Sequence, residues 1–207
     1  MKLSLIPLLL IMISCSNSPQ GIVEVVQTSR AGDKLLAVKP VDQSASFEFS
    51  LDEKFTYQTI TGFGGAFTES SATLWKSMNP DIQDELIEAY FSEEGLNYSL
   101  TRTHMNSCDF SLDHYSYTSV ENDTNLVHFS LEEDTADIIP MIQAAQAVSA
   151  QGFKIIASPW SAAPWMKDNN HWYGGKLKKE FYPTWALFFS KYIKGYSDYG
   201  IDIWGLT

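Results

Sequence analysis

The chain has 207 residues, with 25 Asp or Glu against 14 Lys or Arg and a formal net charge of −11. A protein that binds nucleic-acid phosphates needs a dense basic patch, so this acidic balance argues against a nucleic-acid partner. Hydrophobic residues make up 44% of the chain, which predicts a packed core and not a disordered chain. Aromatic residues make up 14%, a content often found in proteins that stack sugar rings on aromatic faces.

The N-terminus has the pattern of an export signal. Lys2 precedes an apolar run, Leu3 to Ile13, which is too short to cross a bilayer as a helix. The run ends at Ser14-Cys15, and a small residue directly before a cysteine is typical of bacterial lipoprotein signals. We therefore predict a signal peptide over residues 1–15, lipidation of Cys15, and an exported lipoprotein at the bacterial cell surface or in the periplasm. The alternative is ordinary cleavage nearby, which gives Cys15 no role.

Residues 16–55 are predicted to form a tether followed by β-strands. Alternation and β-branched residues predict four strands, at residues 22–27, 35–41, 46–51 and 56–61. If Cys15 carries lipid, Cys108 is left alone, and we expect a buried, inert thiol there more than a nucleophile.

From residue 56 onward the chain alternates between strands and helices. Strands are predicted at residues 61–66, 98–105, 153–158 and 201–206, and the last two are of the fully buried type. Thr68 is the expected cap of a first helix, and Asn79-Pro80 begins a second. Further helices are predicted over residues 131–150, where Pro140 delays the start or bends the helix, and over residues 183–199. This order predicts an α/β fold with a parallel sheet. Because the last strand has nothing to cover it, we expect the chain to be the N-terminal part of a longer protein.

Five segments, in this order and spacing, resemble glycoside hydrolase family 30, the family of glucosylceramidase and its bacterial relatives. They are Gly62-Phe63-Gly64-Gly65-Ala66-Phe67-Thr68, Tyr90-Phe91-Ser92-Glu93-Glu94-Gly95-Leu96, Ser107-Cys108-Asp109-Phe110-Ser111, Ala157-Ser158-Pro159-Trp160 and Ile203-Trp204-Gly205-Leu206-Thr207. The resemblance implies a (β/α)8 TIM barrel, of which residues 56–207 supply the first four strand–helix units. It also implies a β-sandwich side domain, to which residues 16–55 contribute strands.

The resemblance further implies a retaining β-glycosidase, which uses a nucleophile and an acid/base residue on two carboxylates. In the family, the acid/base Glu follows a segment like Trp204–Thr207 and the nucleophile comes later, so no catalytic residue is expected in this chain. Both are expected after Thr207, and the chain alone is expected to be inactive. Substrates would be β-glucosides, either glucosylceramide or a β-glucan or oligosaccharide, with no cofactor. The alternative is a non-catalytic carbohydrate-binding surface lipoprotein of the same fold.

The resemblance gives four residues a substrate-binding role. Asp109 would accept hydrogen bonds from sugar hydroxyls, although a turn aspartate is the alternative. Trp160 would stack on the sugar, with core packing as the alternative. Arg102 would orient active-site carboxylates, or else form a surface ion pair. Phe110 would shape the pocket wall or pack in the core.

Other chemistry is not indicated by the sequence. The glycines at residues 62–65 lack the Lys-Ser/Thr of a phosphate-binding P-loop. The four histidines show no metal-ligand spacing, so no metal is expected.

Overall fold

The computed structural model describes residues 25–28, 34–37, 52 and 54–207. The chain divides into two compact units, Met1–Tyr57 and Gln58–Thr207. In the first unit, β1 (Val25–Thr28) pairs antiparallel with β2 (Lys34–Ala37), and each overlaps a predicted strand. The predicted signal peptide, Cys15 and the predicted strand at 46–51 lie outside the described residues.

The second unit is built on a parallel sheet of four strands. They are β3 (Ala66–Phe67), β4 (Leu100–Met105), β5 (Lys154–Pro159) and β6 (Ile203–Leu206), in the spatial order β3-β4-β5-β6. Each strand pairs with the next in the chain, and helices lie in the connections between them. This confirms the α/β prediction with a parallel sheet.

Five helices accompany the sheet. They are α1 (Glu69–Lys76), α2 (Pro80–Phe91), α3 (Glu132–Ala136), α4 (Ile138–Val148) and α5 (Tyr182–Asp198), with short 3-10 helices at Pro164–Met166 and Lys179–Phe181. Thr68 caps α1 in a capping box with Ser71, and Asn79 caps α2 by accepting a hydrogen bond from the Asp81 N–H at 3.0 Å. Both capping predictions are confirmed.

The single helix predicted over residues 131–150 is instead two helices. Asp137 breaks the run with φ −153° and ψ −50°, and its carboxylate accepts a hydrogen bond from the Ile138 N–H at 2.7 Å. The short side chain therefore begins a new helix by capping it. Pro140 lies in the first turn of α4, where a missing N–H leaves no intrahelical hydrogen bond unmade.

The strand predicted at residues 56–61 is wrong, and the one predicted at 61–66 is reduced to the two residues of β3. Residues 55–65 have no regular secondary structure, and Thr56 to Thr61 are exposed. The glycine segment nevertheless follows β4 closely, because the Phe63 carbonyl accepts hydrogen bonds from the N–H groups of Ser99 at 3.0 Å and Leu100 at 3.2 Å. Two donors on one carbonyl do not make a ladder, so β3 begins only at Ala66.

The core of the second unit lies between the sheet and its helices. On β5, Ile155 and Ala157 are buried while Lys154 is exposed, so alternate side chains enter the core. Phe67 of β3 stacks on Phe91 of α2 with ring centroids 5.4 Å apart. No helix in the part of the chain that the structure describes is long and apolar enough to span a membrane.

Candidate active-site cavity

A cavity of about 800 Å³ opens at the carboxyl ends of β4 and β5. Its walls are the loop that follows β4, over residues 107–114, and the longer loop that follows β5, which includes residues 159–162 and 172–175. In parallel α/β folds the strand-to-helix loops at this edge of the sheet carry the functional groups. The volume lies within the range typical of small-molecule sites.

Two of the predicted substrate-binding residues line this cavity. Asp109 lies on the β4 loop with an exposed side chain, and Trp160 directly follows β5 with 41% of its surface exposed. Core packing, the alternative considered for Trp160, does not account for this exposure. The loops thus bring an acceptor for hydroxyl groups and an aromatic surface into one cavity.

Arg102 contacts Trp160 from the neighbouring strand. Its Nε donates a hydrogen bond to Ser158 Oγ at 2.8 Å, and its guanidinium carbon lies 4.7 Å from the centroid of a Trp160 ring. That distance is typical of a cation–π contact. Thr207 Oγ1 donates to the same Ser158 oxygen at 2.8 Å. Arg102 forms no ion pair with a described carboxylate, so the surface ion pair considered above is not observed there.

Phe110 and Cys108 are placed differently from their expected positions. Phe110 is 62% exposed and does not line the cavity, while its carbonyl accepts hydrogen bonds from Ser70 N and Oγ at 2.9 and 2.6 Å. It therefore lies neither in the core nor in the wall, and its main chain joins the β4 loop to α1. Cys108 is half-buried on the cavity wall, and burial raises the pKa of its thiol, which keeps it protonated.

Asn106, which directly follows β4, joins the loop after β4 to the loop after β5. It is buried with φ +60°, and its side chain accepts from the Tyr117 N–H at 3.1 Å and donates to the Ser161 carbonyl at 3.0 Å. Asn is among the few residues that adopt this left-handed conformation readily. Asn106 therefore links the loop that carries Asp109 to Ser161, the residue that follows Trp160.

His104 fixes the end of β4 against α1. Its Nδ1 hydrogen donates to the Asn106 carbonyl at 2.7 Å, and Nε2 accepts from the Glu69 N–H at 3.1 Å. Because the two nitrogens have opposite roles, the ring is neutral, and burial lowers its pKa in agreement.

A buried carboxylate of α3 accepts hydrogen bonds from the loop that follows β4. Asp134 of α3 is fully buried and accepts hydrogen bonds from the hydroxyls of Tyr117 at 2.6 Å, Tyr196 at 2.5 Å and Tyr115 at 3.3 Å. Burial raises the pKa of Asp134 to about 7, although the tyrosine hydrogen bonds oppose that shift. Sequence patterns did not indicate this group, because Asp134 resembles an ordinary acidic residue at a helix start.

Sequence patterns also did not indicate Lys167 or the segment that it contacts. Lys167 is buried, and its ammonium donates hydrogen bonds to Ser161 Oγ and to the carbonyls of Trp172 and Gly174 at 2.7, 2.9 and 2.9 Å. Burial lowers the pKa of this ammonium. The signal that could have indicated the region is the run His171–Gly175, where two aromatic residues precede a Gly-Gly turn.

Comparison with known proteins identifies the family. The sequence profile of the glycosyl hydrolase family 30 TIM-barrel domain matches residues 60–207. The chain belongs to glycosyl hydrolase family 30. It is 36% identical to the lysosomal acid glucosylceramidase of Mus musculus over 191 residues, which cover 89% of this chain and 35% of that protein.

Two solved structures agree with the family 30 assignment. SrfJ from Salmonella typhimurium superposes with a TM-score of 0.69 at 38% identity, over 72% of this chain and 34% of that one. An endo-β1,6-glucanase superposes with a TM-score of 0.68 at 29% identity, over 76% and 36%. The family resemblance is thereby confirmed, and the chain spans about a third of the length of these relatives.

The four strands of the second unit therefore belong to a family 30 TIM-barrel domain. Among the described residues, no group of three or more His, Cys, Asp and Glu side chains is placed to hold a metal ion. The substrate-binding roles of Arg102, Asp109 and Trp160 stay predictions, as does that of Phe110, which lies outside this cavity. The β-sandwich side domain also stays a prediction.

Proposed function

We propose that the protein is a retaining β-glycosidase that hydrolyses O-linked β-glucosides and binds the terminal sugar in the cavity beside β4 and β5. The observation that carries the proposal is that Asp109 and Trp160 line one cavity at the carboxyl ends of adjacent strands, while Arg102, within β4, contacts Trp160. Family membership supports glycoside hydrolysis as the reaction. The family 30 relatives include glucosylceramidases and endo-1,6-β-glucanases, so both a glycolipid and a β-glucan are candidate substrates.

Each of the three residues has a distinct role in this proposal. The Asp109 carboxylate accepts hydrogen bonds from sugar hydroxyls, which are shorter and stronger than bonds to a neutral acceptor. The Trp160 indole stacks on the apolar face of the sugar. Arg102 holds the indole in place through its ring contact and its bond to Ser158.

We propose that the acid/base and nucleophile glutamates lie after Thr207 in the encoded protein. Support comes from the relatives, since this chain covers only 35% of the mouse glucosylceramidase. A retaining mechanism needs two carboxylates about 5–5.5 Å apart. The carboxylates on the cavity wall, Asp109 and Asp113, come from one loop, where Asp109 is assigned to sugar hydroxyls and Asp113 accepts a hydrogen bond from the His114 N–H.

The test uses the full-length encoded protein and an aryl β-glucoside. Asp109→Asn and Trp160→Ala should each lower kcat/KM by about 30- to 1,000-fold, which corresponds to about 2–4 kcal/mol of transition-state binding. NMR of the first-formed product should show the β-anomer, as net retention requires.

Asp198→Asn is the matched control, since it removes an exposed carboxylate of α5 outside the cavity and should leave kcat/KM within about twofold. Unchanged kcat/KM in both cavity variants would remove Asp109 and Trp160 from the site. Binding of β-glucosides without hydrolysis by the full-length protein would instead identify a non-catalytic carbohydrate-binding lipoprotein.

We also propose that the protein is exported and attached to a membrane through a lipid on Cys15. Support comes from the apolar run before Ser14-Cys15. In bacterial cells expressing the gene, labelled palmitate should enter the wild-type protein and be absent from Cys15→Ser. Equal partitioning of both into the aqueous phase of a detergent extraction would indicate ordinary cleavage.

A further inference from the structure

The loop over residues 167–177, here the Trp172 loop, is closed at its base and carries two adjacent aromatic side chains at its tip. Lys167 and Leu177 form an antiparallel bridge, and the Asp168 N–H donates to the Lys176 carbonyl at 3.0 Å. The Asp168 carboxylate accepts from the Lys176 N–H at 2.8 Å. The tip with Trp172 and Tyr173 is therefore held at both ends.

The tip is also fixed from inside by the buried ammonium of Lys167, which binds the carbonyls of Trp172 and Gly174. Asn169 donates to the Tyr173 carbonyl at 2.8 Å. Gly175 has φ +74°, and a Cβ there would collide with the Asn169 side chain, so the turn requires glycine. A segment held this way loses little conformational entropy when it binds a ligand.

The rings of Trp172 and Tyr173 are joined to the β4 loop by His114. His114 stacks on Trp172 with centroids 5.2 Å apart and an interplanar angle of 12°. The Tyr173 hydroxyl is hydrogen-bonded to His114 Nε2 at 2.9 Å, while 63% of the Tyr173 side chain is exposed. An aromatic ring that is fixed yet exposed in a cavity is suited to stacking on a ligand. We call the three residues the aromatic platform.

The aromatic platform lines the same cavity as Asp109 and Trp160. Ser111 and Asp113 also line the cavity and carry groups that hydrogen-bond to hydroxyls. The larger aliphatic side chains on the wall are Leu112 and Leu177, beside the aromatic rings of Trp160, Trp172, Tyr173 and Trp185.

We propose that the aromatic platform is a second sugar-binding subsite, and that the preferred substrate is therefore a β-linked gluco-oligosaccharide and not a glycolipid. The inference rests on the proposed function, with Asp109 and Trp160 binding the terminal sugar. Trp172 and Tyr173 bind a neighbouring sugar of the same chain. Lys167 is a positioning residue. Its ammonium uses its three N–H donors on Ser161, Trp172 and Gly174, so it holds the tip and leaves no donor for the sugar.

The experiment compares kcat/KM for β-gluco-oligosaccharides of increasing length with kcat/KM for an aryl β-glucoside, in the full-length protein. Trp172→Ala and Tyr173→Ala should lower the ratio of these two values by about tenfold. Tyr173→Phe keeps the ring and loses the bond to His114, so a smaller drop is expected, and this exposed, near-isosteric change guards against misfolding. Tyr199→Ala is the control, because Tyr199 is an exposed tyrosine outside this cavity.

A ratio unchanged in both alanine variants would overturn the proposal. Higher kcat/KM for glucosylceramide in micelles than for every oligosaccharide would also overturn it. If the wild-type protein hydrolyses no β-glucoside, the proposed enzymatic function fails, and calorimetric titration with oligosaccharides decides the subsite separately. Binding that Tyr173→Ala weakens about tenfold supports the subsite, and no binding to the wild-type protein overturns it.

Discussion

At the scale of single residues, the most unusual group is the carboxylate of Asp134. It is fully buried, and its hydrogen-bond partners are three neutral tyrosine hydroxyls with no cation. Burial without a counter-charge disfavours the ionised form, so the pKa of Asp134 rises to about 7. Two of the tyrosines, Tyr115 and Tyr117, belong to the loop that follows β4 and also carries Asp109.

We predict that Asp134 makes stability depend on pH in the direction opposite to a paired surface aspartate. The folded-state pKa of about 7 lies above the ordinary aspartate pKa of 3.8, so the folded state binds the proton more tightly than the unfolded state. The stabilisation is complete below about pH 4 and is lost as the pH rises through about 7. Asp134→Asn should remove this dependence, because the amide stays neutral.

The measurement is the free energy of unfolding in urea at about pH 4.5 and about pH 7.5. From the lower to the higher pH, the free energy of unfolding of the wild-type protein should fall by on the order of a few kcal/mol more than that of Asp134→Asn. Asp198→Asn, on the surface of α5, should behave like the wild type. If wild type and Asp134→Asn differed in free energy of unfolding by the same amount at both pH values, the prediction would be contradicted.

At the scale of elements, the glycine segment before β3 shows how close packing replaces regular pairing. A Cβ at Gly64 would collide with the main-chain oxygen of Leu100 at the start of β4, whereas a Cβ at Gly205 in β6 would meet only Ile156 Cγ1 at 3.7 Å. The sequence predicted a strand over residues 61–66. It did not indicate that this close packing leaves only Ala66–Phe67 as a strand.

We predict that Gly64→Ala destabilises the protein by about 2 kcal/mol or more, because the neighbouring atom is main chain and cannot rotate away. Gly205→Ala is the matched control and should change the free energy of unfolding by less than about 1 kcal/mol. Thermal or urea unfolding of the two variants measures the difference. Equal stability of both variants would show that the β3 segment moves to accommodate the methyl group.

The break between α3 and α4 was only partly predictable. Pro140 indicated a late start or a bend within residues 131–150. The structure instead breaks the helix at Asp137, whose carboxylate accepts hydrogen bonds from the Ile138 N–H and from the Thr73 hydroxyl of α1. The cap on Ile138 is local, whereas the bond to Thr73 joins residues far apart in the sequence, and no local pattern reports that second contact.

At the scale of the whole molecule, the parallel sheet places the loops that follow β4 and β5 side by side, and these loops form the cavity. We predict that the 207-residue chain, purified alone, does not hydrolyse an aryl β-glucoside, because both catalytic glutamates are proposed to lie after Thr207. The assay compares the chain with the full-length encoded protein. Robust turnover by the chain alone would contradict the proposed location of the carboxylates and direct attention to Asp109 and Asp113.

The strand–helix order, the helix caps at Thr68 and Asn79, and the family could all be predicted from the amino-acid sequence. These are local features: a capping side chain bonds within its own first turn, and motif spacing is read along the chain. The sequence also placed Asp109 and Trp160 just after predicted strands; both line the cavity, and their sugar-binding roles stay proposals.

The contacts between residues far apart in the sequence became visible in the folded structure alone. The contact of Arg102 with Trp160, the three tyrosines on Asp134 and the aromatic platform around His114 each join side chains far apart in the sequence. Their partners are chosen by the register of the sheet and by burial, since a buried polar group must find a partner wherever the fold supplies one. Local periodicity holds no information about those distances, so the sequence predicted the elements while packing defined the site.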